Sequence, residues 1–254
     1  MEFLANEGRN VEIEVNGEKY LRHAIKTRFV KQGDDYIDVI KEYVSDIYEP
    51  GDFISISEKI ISMCQNRVVR REDLKVGFWA KFLSRFASRT KAGVGVGESL
   101  KMQYAINKVG LLKVLWASFL SAVTKLFGIK GVFYKVVGQE VSGLDGLCYG
   151  HVWKEYEDIG IEIPENPTGV CNEIQEKLGI SCMIVDANDL GQEILGKSDD
   201  IKLEEKDLVS IIRDNPAGQG RSQTPIILIR KCNKEMEKCT EEKGENAQNM
   251  QDAE

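Results

Sequence analysis

Histidine and proline are scarce in this 254-residue chain, which has two histidines and five prolines. The six cysteines include no Cys-x-x-Cys pair, and His23 and His151 are too few to complete the usual four-ligand zinc sets, so structural zinc is not expected. The N-terminal residues show neither the basic nor the apolar segment of a secretory signal. We therefore predict a cytoplasmic protein with reduced thiols.

Glycine motifs for nucleotide binding are also missing. Gly93, Gly95 and Gly97 resemble the start of a dinucleotide fingerprint, but Glu98 occupies the position where that fingerprint needs its last glycine. The sequence contains no Gly-x-x-x-x-Gly-Lys-Ser/Thr motif either. These absences exclude a Rossmann-type cofactor site and a Walker phosphate loop.

No uncharged apolar run reaches the length of about 20 residues that crosses a bilayer. Residues 110–129 come nearest, but only eleven residues separate Lys113 from Lys125. We predict a core helix there, with membrane contact as the alternative, and we expect no membrane partner. The net charge of -7 and the pI near 5.2 disfavour a nucleic-acid partner as well.

The remaining composition, 42% hydrophobic and 30% charged residues, is typical of a folded chain. An alternating run at residues 11–15, followed by Asn-Gly and a second alternating run, predicts a β-hairpin. Asp34 precedes apolar residues at helical spacing, which predicts a helix that it caps and that ends at Pro50.

Residues 52–57 alternate like a strand and pass directly into a helical pattern at residues 58–62. Junctions of this type often bind phosphate. Eight basic residues follow, and three of them share one helical stripe: Lys81, Arg85 and Arg89. The stripe is either a solvated helix face or a surface that attracts an anionic substrate.

The second half of the chain is also predicted to contain both helices and strands. Residues 99–128 predict a long helical region, and residues 132–137 predict a strand. Residues 231–254 are acidic and lack aromatic residues, so we expect a disordered tail after a folded region at residues 1–230, with a subdomain boundary left open.

A helix capped by Thr168 and ended by Gly179 is predicted before strands at residues 180–185 and 226–229. Polar residues collect in three segments: 144–146, 185–189 and 214–220. Their carboxylate and amide oxygens are ligands that Mg²⁺ and Mn²⁺ prefer. Asp and Asn also form turns and cap helices, so a metal role and a structural role both stay open.

The order of these segments resembles that of the coenzyme F420-0:L-glutamate ligase family, also called F420-0 gamma-glutamyl ligases. The resemblance runs from residues 25–35 through Gly51-Asp52 and the Glu-Lys-Ile-Ile-Ser run at 58–62, and it reaches the loop 218–225 and Arg230. It covers roughly residues 20–230. It implies a two-domain α+β fold with mixed sheets and packed helices, in a homodimer.

Members of that family join L-glutamate to an anionic deazaflavin acceptor, coenzyme F420-0, with GTP and a divalent cation. The resemblance therefore implies an amide-forming ligase that uses GTP or ATP, with Mg²⁺ or Mn²⁺, and passes through an acyl phosphate. By position, the implied catalytic residues are Lys59 and Asp186, and the implied metal ligands are Asp145, Asp186 and Gln219. The implied nucleotide-binding residues are Thr27, Arg28, Phe29, Val30, Glu58, Lys59, Gly218, Gly220, Arg221, Ser222 and Gln223.

Three positions depart from the family pattern. Met63, Cys148 and Ala187 stand where the family usually has a lysine, an asparagine and a threonine, which indicates a divergent member. The departures leave two alternatives open. One is a ligase for a different acid and amine on the same fold, and the other is a non-catalytic nucleotide-binding homologue.

Overall fold

The computed structural model describes residues 1–87, 95–147, 154–188, 191–218 and 222–232. They form an α+β fold, as predicted from the sequence, and divide into two compact units. Unit 1 comprises Met1–Phe29, Ile37–Ser57 and the described residues from Asn166 onward. Unit 2 comprises Val30–Tyr36 and the described residues of the segment Glu58–Glu165.

A six-stranded sheet forms the framework of unit 1, with strands numbered along the whole chain. Its members are β1 (Glu12–Val15), β2 (Glu18–Ile25), β3 (Phe53–Ser57), β7 (Cys182–Asn188), β8 (Gly191–Lys197) and β9 (Ile226–Lys231). The spatial order is β1-β2-β9-β3-β7-β8. Neighbouring strands are antiparallel except β3 and β7, which run parallel.

The predicted hairpin is confirmed as β1 and β2. Asn16 and Gly17 connect the strands with φ angles of 54° and 77°, as a two-residue turn of the favoured hairpin type requires. The predicted strand-to-helix junction is confirmed as well, because β3 passes directly into helix α2 (Glu58–Cys64). The chain thus leaves unit 1 at Ser57 and enters unit 2 at Glu58.

Three helices lie mainly or wholly in unit 1: α1 (Tyr36–Val44), α8 (Pro167–Leu178) and α9 (Glu205–Ile211). Leu208 and Ile211 of α9 pack against Ile13, Met183 and other apolar residues on one face of the sheet. Along β7 the side chains alternate between faces, so Cys182 points away from that cluster and contacts the Cys171 carbonyl of α8. The sheet is therefore covered on both faces.

Two helix boundaries differ from those predicted. Asn166, and not Thr168, caps α8, because its side chain accepts a hydrogen bond from the Gly169 N–H at 3.2 Å. Helix α1 ends at Val44, well before Pro50. The Asp52 carboxylate accepts the Glu49 N–H at 2.9 Å, so a local side-chain turn replaces the helical hydrogen bonds there.

Buried arginines pair with carboxylates inside unit 1. Arg230 on β9 makes a two-point contact with Asp52, at 2.8 Å from Nε and 2.7 Å from Nη2. Arg22 on β2 makes a similar two-point contact with Asp214 and also donates to the Ile211 carbonyl at 2.9 Å. Such pairs fix the packing of the elements that carry them.

Unit 2 combines a small sheet with several helices. The sheet has the order β4-β6-β5, from β4 (Val68–Arg70), β5 (Asp145–Gly146) and β6 (Ile159–Ile161). After α2, the helices are α3 (Phe78–Ser84), α4 (Ser99–Val109), α5 (Leu111–Leu126), α6 (Val132–Val137) and α7 (Gln139–Ser142). A core of small and medium apolar side chains holds α3 to α6 together, including Ala80, Met102, Val114, Ala117, Phe133 and Val137.

The predicted helical region at residues 99–128 is two helices, α4 and α5, which bend by 120°. Gly110 lies between them with a φ of 87°, which favours glycine and ends the regular helix. Among the described residues, no single helix has the length and apolar character needed to cross a bilayer, although this bent pair passes that test when its two helices are counted together.

The prediction that residues 110–129 form a core helix is wrong for most of their large side chains. Val114 and Ala117 are the buried residues of α5, whereas Leu112 is 83% exposed and Leu126 is 85% exposed. The small residues of the helix face the core, and the large apolar residues face outward. Apolar composition alone does not specify which face of a helix is buried.

The strand predicted at residues 132–137 is also wrong, because these residues form α6. Gly131 and Gly138 bracket the segment with φ angles of 80° and 100°. Phe133 and Val137 lie four residues apart, so they share one face of α6, and both are buried in the core of unit 2. Tertiary packing overrides the β preference of Val and Phe here.

The C-terminal strand continues slightly further than the sequence predicts. β9 ends at Lys231, and the Cys232 N–H donates to the Lys19 carbonyl at 2.8 Å. The rest of the predicted tail, residues 233–254, lies outside the described residues, and its disorder stays a prediction. The described cysteines Cys64, Cys171, Cys182 and Cys232 form no disulfide.

Candidate functional site

An ion pair between Lys59 and Asp145 marks the candidate site in unit 2. Lys59 is the second residue of α2, directly after the strand-to-helix junction, and Asp145 begins β5. The Lys59 Nζ lies 2.5 Å from Asp145 Oδ2, and both side chains are 39% exposed. The structure therefore brings together two residues that the sequence predicted separately, as a phosphate-binding lysine and as a metal ligand.

The charges of this pair stabilise each other. Burial alone would raise the pKa of the Asp145 carboxyl, but the Lys59 ammonium and the Gly146 N–H lower it to about 2. Burial would lower the pKa of Lys59, but the Asp145 carboxylate raises it above its ordinary value. Both groups are consequently charged at neutral pH.

A second lysine contributes to the same site. Lys101 on α4 is buried, and its positive charge also lowers the pKa of Asp145. One carboxylate is thus placed near two ammonium groups, with Glu58 and Tyr156 as further electrostatic neighbours of Lys59. The site thus combines two lysines with two carboxylates, Asp145 and Glu58, and its ammonium groups are donors of the kind that bind an anionic ligand such as a phosphate.

Gly146 fixes the backbone next to Asp145. Its φ is 77°, and a Cβ built there would lie 2.2 Å from the Ile159 carbonyl oxygen. Its N–H donates to Asp145 Oδ1 at 2.7 Å. A residue larger than glycine would have to shift β5 away from β6, and the carboxylate would move with it.

In unit 1 the structure brings together Thr27 and Gln223, from the two predicted nucleotide-binding segments. The Thr27 N–H donates to the Gln223 carbonyl at 3.2 Å, and Gln223 Nε2 donates to the Thr27 carbonyl at 2.8 Å. Gln223 has a positive φ of 56°, an uncommon backbone conformation for this residue type. The two segments therefore form one local structure.

The loop before Gln223 is anchored by residues that the sequence did not indicate. Asn6 Nδ2 donates to the Pro216 carbonyl and to Thr224 Oγ1, both at 2.8 Å, and the Thr224 hydroxyl donates to the Ala217 carbonyl. Gly218 has a φ of 70°, and a Cβ there would lie 2.6 Å from Ser222 Oγ. The backbone at this position therefore favours glycine, and the nucleotide-binding role of Gly218 stays a prediction.

The other predicted nucleotide-binding residues occupy varied environments. Arg28 is exposed, with its guanidinium 3.8 Å from Glu42 and its N–H bonded to the Tyr43 hydroxyl at 3.0 Å. Phe29 is half-buried. Val30 and Glu58 are buried in unit 2, where Met63 of α2 is buried too.

Asp186 lies inside a strand and not after one. The sequence predicted that β7 ends at residue 185, but the strand continues to Asn188 and pairs with β8. Asp186 lies directly opposite Glu193 in this antiparallel pair, so the two carboxylates share one face of the sheet in unit 1. Strand β8 had no prediction of its own, so the position of Glu193 opposite Asp186 was not predicted.

Several predicted positions lie outside the described residues: Cys148, His151, Asp189, Gln219, Gly220 and Arg221. Within the described part of the chain, no three side chains of the His, Cys, Asp and Glu types come together in an arrangement that could hold a metal ion. The oxygens of Asp145 contact Lys59 and the Gly146 N–H. A cation at Asp145 would have to displace the Lys59 ammonium.

Some of the basic residues after position 66 have structural roles. Arg67 pairs with Glu162 at 3.3 Å, and Arg71 pairs with Asp158 at 3.1 Å. By contrast, Lys81 and Arg85 are exposed on and just after α3. Arg89 and Lys91 lie outside the described residues.

The sequence could have indicated Lys101 but not the anchoring contacts. Lys101 is a charged residue on the buried face of an apolar helix, between Met102 and Leu100, which is an unusual position for a lysine. Asn6 and Thr224 are separated by 218 positions and belong to common loop residue types. No local pattern reveals such a long-range contact.

Comparison with known proteins gives a family match and a relative, and each covers about a third of the chain. The family model F420-0:Gamma-glutamyl ligase matches residues 24–109. The uncharacterized protein MJ1361 of Methanocaldococcus jannaschii is 30% identical over 84 residues, which are 32% of this chain and 28% of that protein. The aligned part of the chain thus spans little more than a quarter of this relative.

The family match includes Thr27, Lys59 and Lys101, and it ends before Asp145 and Asp186. The resemblance predicted from the sequence over roughly residues 20–230 thus has independent support over its first part. Over residues 24–109, the chain is confirmed as similar to the F420-0:gamma-glutamyl ligase family.

Proposed function

We propose that the protein is an amide-forming ligase that uses a nucleoside triphosphate. The observation that carries the proposal is the ion pair of unit 2, in which the Lys59 ammonium contacts Asp145 and the positive charge of Lys101 also acts on that carboxylate. Both lysines belong to the segment that matches the ligase family. The match supports ligase chemistry in general, and the two lysines support the proposal that phosphates bind here.

Lys59 is proposed to bind the phosphates of the nucleotide. Without a ligand, Asp145 neutralises its ammonium and holds it in position at 2.5 Å. A phosphate offers a higher charge and more acceptor oxygens than a carboxylate, so it competes for the same ammonium. Lys101, which is buried on α4, adds a second positive charge that attracts the phosphate.

The reaction consists of two balanced transfers. An oxygen of the acid's carboxylate attacks the γ-phosphorus, the bond to the bridging oxygen breaks, and the nucleoside diphosphate leaves. The amine nitrogen then attacks the acyl carbon, orthophosphate leaves, and the nitrogen loses a proton. The protein accelerates both steps by positioning the reactants and by neutralising phosphate charge, which are the main contributions expected in phosphoryl transfer.

A divalent cation, Mg²⁺ or Mn²⁺, remains part of the proposal. When bound, it would add neutralising charge at the phosphate oxygens. Asp145 and Asp186 are each proposed as a carboxylate ligand on the resemblance, and Glu193 lies opposite Asp186 in the strand pair. Gln219 is proposed as a further ligand on the resemblance alone.

The proposed substrates follow from the same family. They are L-glutamate as the amine and coenzyme F420-0, or a similarly anionic acid, as the acceptor, with GTP or ATP as the phosphoryl donor. A homodimer is proposed on the same basis. Thr27 and Gln223, which hold each other in unit 1, are proposed as nucleotide contacts.

The test is the release of orthophosphate from GTP or ATP by the full chain in the presence of Mg²⁺, L-glutamate and coenzyme F420-0. We expect release that requires both the acid and the amine. Lys59→Gln should lower the apparent nucleotide affinity by about 10- to 100-fold, the cost of a charge-assisted hydrogen bond. Lys75 is an exposed lysine of the same unit, and the matched control Lys75→Gln should leave the apparent nucleotide affinity unchanged.

Two other outcomes would replace the proposal. Turnover with a different acid and amine, but none with coenzyme F420-0, would favour the same ligase chemistry on other substrates, as Met63 and Ala187 suggest. Nucleotide binding without phosphate release under any substrate combination would favour a binding protein. Equal turnover by wild-type protein and Lys59→Gln would contradict the proposed phosphate site.

A further inference from the structure

Unit 2 exposes a set of large apolar side chains on and next to α3 and α5. We call this set the aromatic face, and it comprises Phe78, Trp79, Phe82, Phe86, Leu112, Trp116, Phe119, Val123, Leu126, Phe127 and Ile129. Phe78 is 71% exposed and Phe86 is 70% exposed. Exposed apolar surfaces of this extent mark sites of interaction.

The residues of the aromatic face are regularly spaced. On α5, residues 112, 116, 119, 123 and 126 recur every three or four positions, so they form one continuous stripe. Trp116 and Phe119 stack with ring centroids 5.8 Å apart. On α3, Phe78 and Phe82 stack at 5.9 Å, and Phe82 contacts Phe86 at 5.1 Å. Large apolar side chains usually build a protein core. On and next to α3 and α5 they instead form an ordered surface.

A cavity of about 870 Å³ links the two parts of this surface. Phe86 and Ile129 belong to the aromatic face and also line the cavity, together with Leu83, Ala122 and Phe133. Lys125 and Lys130 line it as well. The surfaces of α3 and α5 thus border one apolar depression that has basic residues at its edge.

The charge of this region is opposite to that of the whole chain. Residues 74–138 contain eleven lysines and arginines and one acidic residue, Glu98, although the chain has a net charge of -7. The exposed members among the described residues include Lys81, Arg85, Lys113, Lys125, Lys130 and Lys135. Aromatic and aliphatic side chains flanked by lysines and arginines are typical of surfaces that lie on anionic lipid.

We propose that the aromatic face of unit 2 binds the surface of a bilayer that contains anionic lipids. The apolar side chains enter the boundary between headgroups and acyl chains, while the flanking ammonium and guanidinium groups contact lipid phosphates. A second copy of the chain is a poorer occupant, because two such positive surfaces repel each other. The proposal does not depend on the proposed ligase activity.

The test is flotation of the full-length protein with vesicles of phosphatidylcholine alone and of phosphatidylcholine mixed with phosphatidylglycerol. We expect binding to the mixed vesicles that weakens as salt is added, because about 1 M salt reduces the screening length to about 3 Å. No binding to either vesicle overturns the proposal. Equal binding to both, or binding that salt does not weaken, overturns the role of the anionic lipid.

Variants separate the apolar contribution from the charged one. Trp116→Ser with Phe119→Ser should lower the partition coefficient at least about tenfold, whereas the control Leu4→Ser, an exposed leucine of unit 1, should not. Lys81→Glu with Arg85→Glu should lower it by about fivefold or more per residue, whereas Lys41→Glu, on α1, should not. Equal losses in variants and controls would overturn the assignment of the surface.

Light scattering without vesicles tests the competing occupant. The proposal expects the same molar mass for wild-type protein and for the Trp116→Ser, Phe119→Ser variant. A wild-type dimer that this variant converts to a monomer would show that a second copy covers the aromatic face, and the membrane proposal would be overturned. Far-ultraviolet circular dichroism of each variant confirms that its fold is intact.

Discussion

The two units place apolar and charged side chains in opposite ways. In unit 1, isoleucines, valines and leucines of the sheet are buried, and the arginines that enter the interior, Arg22 and Arg230, are paired with carboxylates. In unit 2, the helices α3 and α5 bury alanine and valine and expose phenylalanine, tryptophan and leucine. Residue type alone thus does not determine burial in this protein.

The side chains that stabilise the fold therefore differ from those that are available to bind other molecules. A buried side chain contributes to the free energy of folding, and its truncation leaves a cavity or an unpaired charge. An exposed apolar side chain contributes little to folding and remains available to a ligand or a surface. Substitutions in the two regions should therefore differ in size and in the property that they change.

The largest effect is expected at the Arg230–Asp52 pair. Asp52→Ala removes the buried carboxylate that contacts Arg230 at two points and leaves the guanidinium with the exposed Glu49 carboxylate alone, at a cost of about 3 kcal/mol in the free energy of unfolding. Denaturant unfolding measures this cost. The exposed pair between Lys231 and Glu18 is the control, and Glu18→Ala should cost less than about 1 kcal/mol. Equal costs would contradict the distinction between buried and exposed pairs.

A smaller loss of stability is expected at Gly146. The Gly146→Ala side chain would lie 2.2 Å from the Ile159 carbonyl at a φ of 77°, so the variant should lose about 1–3 kcal/mol and weaken nucleotide binding by moving Asp145. Gly191→Ala, which meets no atom within 4 Å, is the matched control. Thermal unfolding and nucleotide titration of both variants check the prediction. A Gly146→Ala variant as stable as Gly191→Ala would contradict it.

Within α5 the comparison can be made on a single helix. Val114→Ala truncates a fully buried side chain and should cost about 1–3 kcal/mol of unfolding free energy. Leu112→Ala removes more atoms but from an exposed side chain, and it should change stability by about 0.5 kcal/mol or less. Denaturant unfolding of the two variants measures both changes in unfolding free energy. A larger loss for Leu112→Ala would mean that this face is buried.

The smallest effect is a pH dependence at the Lys59–Asp145 pair. The Asp145 pKa is lowered to about 2, so the carboxylate stabilises the fold above its unfolded pKa of about 3.9 and loses that contribution as the pH falls towards 2. Both side chains are partly exposed, which limits the effect to about 1 kcal/mol. Asp145→Asn should be less stable than wild-type protein at pH 6, with a difference that disappears near pH 2. A difference independent of pH would contradict this origin.

Local patterns predicted much of unit 1. The Asn-Gly turn, the helix stop at Gly179 and the strands predicted at residues 52–57 and 226–229 depend on interactions between near neighbours, which the sequence displays directly. The capping of α8 by Asn166 and the extension of β7 past Asp186 depend on a neighbouring side chain and a neighbouring strand. Neither feature was predicted, because the sequence does not show which side chain accepts the first N–H groups of a helix or which strands pair.

Unit 2 was predicted less well for a related reason. Hydrophobic periodicity located α5 but did not indicate which side of it faces the core, and β-branched residues suggested a strand where α6 forms. In the candidate site, Lys59 and Asp145 were each identified, but their direct ion pair and the contribution of Lys101 require the fold. Side-chain pairs from distant segments are set by tertiary packing.

The most direct test of the proposed nucleotide site is thermal unfolding of the wild-type protein and of Lys59→Gln with GTP and with ATP, each with and without Mg²⁺. A ligand at about 100 times its Kd stabilises the folded state by about 2.7 kcal/mol, a shift of roughly 5–10 °C for a chain of this size. We predict such a shift for the wild-type protein with one nucleotide and Mg²⁺, and a much smaller shift for Lys59→Gln. No shift in folded wild-type protein, or the same shift in both proteins, would contradict the proposed site.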